Sequence, residues 1–454
     1  MNYPELNAIS PVDGRYFRST QKLRDFFSEA ATIKYRVLVE VEYFIELAKM
    51  PLPGMEGIDE NILKSIKKFY NDFTLDDAQK VKEIEGVTNH DIKAVEYFIK
   101  EKIQEAGLEK YKEFVHFGLT SQDINNTAFP LMTKDAVYTE LIPEVEKLMD
   151  KLEMLANEWK NKPMLAYTHG QPASPTTVGK ELYVFFERIN NQLEQLKSLP
   201  FPGKFGGATG NFNAHLAAYP EINWVKFGNN FVENVLGLKR SRVTTQIDHY
   251  DNLSAIFDCL KRICIIISDL DKDMWSYISK DYFKQKIREN EVGSSAMPHK
   301  VNPIDFENSE GNLGVAIALF EHLSVKLPVS RLQRDLTDST VIRNIGVPAA
   351  HMLISIKSCL RGLDKIILNE DSINKDLEQN PMVIAEAIQT VLRRLNYPNP
   401  YEKLKELTRT NQSISLSDLR GFINSLDIPL EYKERLIQLT PETYTGYGLD
   451  SLIK

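Results

Sequence analysis

Along the middle of the chain, apolar residues recur at alternating steps of four and three. From Leu253 the positions run Phe257, Leu260, Cys264, Ile267, Leu270, Met274 and Tyr277. That spacing holds them on one stripe of a helix for more than three heptads. Leu182, Phe186, Ile189, Leu193 and Leu196 make a second stripe, and Leu148, Leu152, Leu155 and Trp159 a third. A fourth runs from Val341 through Ile345, Ala349, Met352, Ile356 and Leu360 to Leu363. Four long periodic helices and almost no alternating stretches predict an all-α protein built around a central bundle. Phe185, Ile263, Ile265 and Ile266 lie beside the stripes. A rod with more than one apolar face needs more than one partner, so the pattern also predicts an oligomer.

Outside the rods the pattern shortens. Helices are expected over about 31–50 and 91–104, broken at Pro51-Leu52-Pro53-Gly54, and beyond about residue 364 Pro381, Pro398 and Pro400 punctuate the chain. A length of 454 residues exceeds one ordinary domain. The expected layout is an N-terminal helical domain 1–110, a central long-helix domain 111–363 and a small helical domain 364–454.

Composition narrows the class. Hydrophobic residues at 43%, charged residues at 26% and a mean hydropathy of -0.31 are ordinary for a soluble globular protein. No uncharged apolar run approaches the ~18 residues that span a membrane. Met1-Asn2-Tyr3-Pro4-Glu5 lacks the basic-then-apolar layout of a signal peptide. Cys259, Cys264 and Cys359 fall in apolar helical stretches and read as buried, reduced thiols of a cytoplasmic protein. A net charge of -8 opposes nucleic-acid binding but leaves room for an anionic small molecule, because a local arginine cluster can outweigh the global field. Among eight histidines the closest pair, His299 and His322, stands 23 positions apart. With no structural-zinc spacing and no H-E-x-x-H, no metal is expected.

Chemistry concentrates in Gly293-Ser294-Ser295-Ala296-Met297-Pro298-His299-Lys300-Val301-Asn302-Pro303, which interrupts two long helices. Pro303 suits the first turn of the helix that follows and Asn302 its N-cap. Unpaired N–H groups and the positive end of the helix would then face a carboxylate, with Lys300 beside two hydroxyls. A generic loop of this composition would be a surface linker. Gly206-Gly207-Ala208-Thr209-Gly210 fits neither nucleotide-loop spacing and has no apparent strand before it, so it is not read as a phosphate cradle.

The eleven-residue string resembles the signature of the fumarase/aspartase superfamily. Two further segments of that superfamily stand in the same order, Thr120-Ser121-Gln122-Asp123-Ile124-Asn125-Asn126 and Thr168-His169-Gly170-Gln171-Pro172-Ala173. Ser10-Pro11-Val12-Asp13-Gly14-Arg15-Tyr16, Thr88-Asn89-His90-Asp91, Thr244-Thr245-Gln246-Ile247 and the run Arg331–Arg343 resemble the adenylosuccinate lyases of the long bacterial type.

That resemblance implies a three-domain, all-helical fold whose long helices form one multi-helix core in a homotetramer, with each active site shared between three chains. It implies elimination of fumarate from adenylosuccinate, giving AMP, and from succinylaminoimidazole carboxamide ribotide (SAICAR), giving AICAR, with no cofactor. By the same match Ser294 is the general base, with Ser295 as its rival on sequence alone. By that match His169 is the general acid and Glu307 the carboxylate that orients it, while Lys300 and the helix-terminal N–H groups are the sequence's candidates for stabilising an alkoxide. Alone, Glu307 reads as a glutamate favoured by the helix dipole. Thr120 and Ser121 read by default as helix caps, and the resemblance adds a hold on a succinyl carboxylate. Arg15, Tyr16, Arg334, Ser339 and Arg343 match phosphate and ribose contacts, for which arginine's forked donors suit. Arg343 alone would be a solvated helix face. Asn89, His90, Asp91, Gln246, Asn302 and Asn308 fill the remaining binding positions. Tyr167 stands where many relatives carry an arginine. Two other readings remain open: a sister lyase acting on malate, aspartate or argininosuccinate, and a helical scaffold without catalysis.

Overall fold

The computed structural model describes residues 4–286, 301–408 and 414–454. Ser294, Ser295 and Lys300 therefore lie outside the described residues. The rest is mostly helical, with three two-stranded sheets. The helices used below, in chain order, are α1 Glu29–Ala48, α2 Leu75–Thr88, α3 Asp91–Glu105, α4 Ser121–Ala136, α5 Ile142–Glu158, α6 Val178–Ser198, α7 Asp251–Ser279 and α8 Ile304–Lys326. They continue as α9 Thr337–Ile342, α10 Gly346–Lys365, α11 Glu370–Gln379, α12 Ala385–Arg394, α13 Leu416–Ser425 and α14 Leu430–Ile437. The strands are β1 Pro163–Thr168, β2 Gln171–Thr177, β3 Pro202–Lys204, β4 Lys239–Ser241, β5 Phe283–Gln285 and β6 Ile366–Leu368.

Three of the four periodic runs are single rods, α5, α6 and α7. Along α7, Leu253, Phe257, Leu260, Cys264, Ile267, Leu270 and Met274 are all buried. The fourth run is two helices. α9 ends at Ile342 and α10 begins at Gly346, because Pro348 has no N–H for a continuing ladder and fits only a first turn. A Cβ at Gly346 would also stand 2.5 Å from the Cβ of Phe27. The extra apolar residues carry less of the argument for an oligomer than their positions imply. Phe185, Ile263 and Ile266 are covered within the chain, and only Ile265 stays 44% exposed. All three cysteines are free and buried.

The chain forms two compact units, each assembled from three stretches. The first takes in residues 1–146, 191–268 and 309–357. Within it Phe257 of α7 stacks on Phe320 of α8 with ring centres 6.0 Å apart, and Arg262 of α7 reaches Gln192 and Gln195 of α6. His351 of α10 meets Asn312 of α8. A cluster of Tyr43, Phe205, Phe212, Trp224, Phe227 and Phe231 fills the space beside α1.

The second unit takes in residues 147–190, 269–308 and 358–454. Arg361 and Lys365 of α10 both pair with Asp305 of α8, and Lys151 of α5 pairs with Asp364. The antiparallel β1–β2 hairpin belongs here, as does a small core of Ile388, Leu392, Leu419, Ile423 and Leu436 between α12, α13 and α14.

Candidate active site

In the first unit, the N-terminus of α4 is held by a fully buried ion pair. Asp123, in the first turn, accepts from the N–H of Thr120 at 2.8 Å, from Lys204 Nζ at 2.8 Å, and from the N–H groups of Gly206 and Gly207 at 2.8 and 3.1 Å. Four donors on one carboxylate offset the desolvation that makes buried pairs costly. Burial lowers the Lys204 pKa, and Asp123 pulls against that. The pair explains the glycines. A Cβ at Gly206 would stand 2.6 Å from the carbonyl oxygen of Gly210, and Gly207 has φ +77°. A three-residue strand, β3, does precede this loop, unlike the sequence reading. Its amides nonetheless point at Asp123, so the loop is no phosphate cradle. Thr120 and Ser121, both half-buried, thus start a rigidly seated 16-residue helix.

Gln246, Arg334 and Ser339 come together in the same unit. Arg334 donates to Gln246 Oε1 at 3.3 Å and to Ser339 Oγ at 3.1 Å, and Gln122 Nε2 also donates to Ser339 Oγ, at 3.3 Å. Beneath them Tyr250 donates to buried Asp338 at 3.0 Å and accepts from Asn126 at 2.6 Å. Asp338 Oδ1 lies 3.9 Å from Arg334 Nε. Gln122, Asn126 and Asp338 sit inside strings the sequence displays, but nothing in their type or spacing marks them as supports.

Asp91 and Arg343 pair directly, and a third residue, Arg36, shares the same carboxylate oxygen. Asp91 Oδ2 accepts from Arg36 Nη2 at 2.8 Å and from Arg343 Nη2 at 2.7 Å, and Glu29 lies 3.4 Å from Arg343. Arg36, 1% exposed, also donates to Asn125 at 3.0 Å. Burial alone would raise the Asp91 pKa, but Arg36, the Ile92 N–H and Arg343 together bring it below its usual value. Arg343 is thus ion-paired while its side chain stays 38% exposed. Asn89, at φ 51°, ends α2, and His90 caps α3 by accepting the Lys93 N–H on Nδ1 at 3.1 Å. That bond leaves the imidazole proton on Nε2, the outward-facing donor.

Arg15 is exposed, with its guanidinium 5.9 Å from the ring centre of half-buried Tyr16. A cleft of about 920 Å³ opens beside Arg343, walled by Asp13, Arg24 and Lys34 over Phe27 and Phe73. Its volume suits a nucleotide-sized ligand. Of the sequence candidates, Arg343 is the one that lines it.

The second unit holds His169. Thr168 pairs with Gln171, so His169 and Gly170 form a two-residue hairpin turn with φ of 54° and 72°. Both residues need φ > 0 in such a turn, which is costly for histidine. His169 is exposed and makes no hydrogen bond among the described residues. Glu307, in the first turn of α8, accepts from Trp275 Nε1 at 3.1 Å rather than meeting His169. Asn308 donates to Ser358 Oγ at 3.0 Å. The N–H of Glu307 bonds to the Pro303 carbonyl, so the cap position falls on Pro303, one residue later than the Asn302 expected.

Comparison with known proteins decides the family. A lyase family model matches residues 14–317, and one for the adenylosuccinate lyase C-terminal region matches residues 330–445. The adenylosuccinate lyase of Dictyostelium discoideum is 57% identical over 452 residues, covering 97% of each chain.

The chain belongs to the adenylosuccinate lyase family.

A second family member, from Escherichia coli K12, is 46% identical over 99% of this chain and 98% of its own. Among solved structures, the 3-carboxy-cis,cis-muconate lactonizing enzyme of Pseudomonas putida has the same fold, with a TM-score of 0.70 at 20% identity over 95% of this chain and 96% of that one.

Proposed function

We propose that this chain eliminates fumarate from adenylosuccinate, giving AMP, and from SAICAR, giving AICAR. Identity of 46–57% with adenylosuccinate lyases along the whole length carries the reading. Elimination needs a base, an acid and positive charge where a carboxylate gains charge.

In the proposed course, Ser294, as an alkoxide that Lys300 stabilises, takes the proton from the succinyl carbon next to a carboxylate. The electron pair spreads onto that carboxylate. The C–N bond then breaks, and His169 gives its proton to the departing nitrogen. Glu307 would orient the imidazole, while Asn302 and Asn308 would bind substrate. Thr120 and Ser121, at the seated N-terminus of α4, would hold the second carboxylate. Gln246, Arg334 and Ser339, already hydrogen-bonded to one another, would bind phosphate and ribose with Arg15, Tyr16 and Arg343. Asn89, His90 and Asp91 complete the site, His90 through its Nε2–H.

We further propose a cytoplasmic homotetramer whose sites draw on three chains. Two features support sharing. His169 is exposed and unpartnered among the described residues. One outward stripe of α8 carries Gly311, Gly314, Val315 and Ala318, where a Cβ on either glycine would meet nothing within 4 Å.

The test is steady-state turnover on adenylosuccinate and SAICAR beside malate, aspartate and argininosuccinate. Fumarate release from the two nucleotides is expected. Activity confined to a substrate without phosphate would reject the proposal, and no activity on any would favour the scaffold.

A further inference from the structure

The hairpin is weakly paired at the end that presents His169. Its register shifts between Leu165 and Tyr167, and Tyr167 then faces Pro172, which has no N–H for the ladder. Past that point only Thr168 and Gln171 pair, and residues 168–171 are exposed. Side chains supply what the backbone lacks. The Tyr167 hydroxyl donates to Asp376 Oδ2, on α11, at 2.5 Å. Tyr282, just before β5, donates to the same oxygen, and Asn380 Nδ2 donates to Oδ1 at 3.0 Å. The Lys280 ammonium covers the Tyr167 ring, 3.4 Å from its centre. Burial, then the bond to Asp376, pushes the Tyr167 phenol up to about 12, and the same causes raise Tyr282. Both are neutral donors throughout the working pH range.

We propose that Asp376 is a positioning residue for the acid step, fixing through Tyr167 the hairpin tip that carries His169. The inference rests on His169 as general acid. Asp376 touches no substrate in it. A tip in a left-handed turn, with a proline in its ladder, would otherwise swing, and displacements near 1 Å suffice to slow proton transfer by about 10²-fold.

The experiment uses the full-length protein. Tyr167→Phe and Asp376→Asn should each lower kcat for adenylosuccinate by about 10- to 100-fold with KM within about two-fold, and the double variant should be no worse than the worse single. Amide hydrogen exchange over 167–171 should quicken roughly ten-fold in both variants and stay unchanged in α7. Tyr282→Phe removes a donor that is not on the hairpin, and should cost kcat less than Tyr167→Phe. Unchanged kcat in Tyr167→Phe, or a kcat loss without faster exchange over 167–171, would overturn the proposal. Exchange needs no substrate. An inactive parent protein would thus reject the functional reading, while the exchange comparison still decides the tether. If Asp376→Asn does not fold, Tyr167→Phe decides alone.

Discussion

One oxygen of Asp91 serves two guanidinium groups, so Arg36 holds that carboxylate as directly as Arg343 does. Arg36 could not be found from the sequence, because its helix was legible only through an apolar stripe and arginine usually lies outside such a stripe. His215 teaches the same lesson with a measurable consequence. It is fully buried among Tyr43, Phe117, Phe212 and Trp224. Tyr43 donates its proton to the Phe117 carbonyl, so the hydroxyl oxygen accepts from His215 Nε2 at 3.0 Å, and Nδ1 has no partner among the described residues. Burial lowers the His215 pKa to about 4. The unfolded chain, with an ordinary value near 6.5, binds the proton first as pH falls. The neutral ring's contribution is therefore complete above about pH 6.5 and is lost progressively down to about pH 4. Between pH 6.5 and 5 the loss from this residue should be about 2 kcal/mol, at about 1.4 kcal/mol per unit. Urea midpoints of the parent and of His215→Phe should diverge at pH 7 and converge towards pH 5. Parallel curves would show that His215 titrates normally.

At the scale of elements, the long rods were legible because burying one stripe requires a repeat of 3.6 residues. Two things escaped that logic. Pro348 splits the run from Val341, although its apolar spacing continues without a gap. The β1–β2 hairpin escaped because Pro172 and Pro175 break any alternation. Its turn was visible only as the Thr168–Pro172 string. The seating of α4 was invisible too, since Asp123 meets Lys204 across 81 positions. Asp123→Asn should cost about 3–5 kcal/mol, because it leaves the Lys204 ammonium buried without its counter-charge. Replacing both residues with apolar ones should cost less than Asp123→Asn alone. Chemical denaturation of the single and double variants checks this. A loss under about 1 kcal/mol in Asp123→Asn would mean that the glycine amides alone satisfy the site.

At the scale of the molecule, the proposed sharing of active sites has a direct consequence. Ser294→Ala and His169→Ala proteins should each lose about 10²- to 10⁴-fold in rate. Mixed and allowed to exchange subunits, they should regain activity, because some sites then combine an intact base with an intact acid. No recovery after verified exchange would place both residues in one chain. The linear expectation of three domains divides the chain at 110 and 363, whereas its contacts gather into two units that each take three separate stretches, with α5, α6, α7, α8 and α10 contributing to both. Long rods cause this, since one helix touches different partners along its length. The sequence by itself determined the helical class, because stripe periodicity follows from local geometry, and the family, because its motifs survive as contiguous strings. Tertiary structure alone decided which polar groups neighbour which: Arg36 with Asp91, Asp123 with Lys204, Tyr167 with Asp376. Such pairs form between groups far apart in the chain, and no spacing rule links them until the helices are packed.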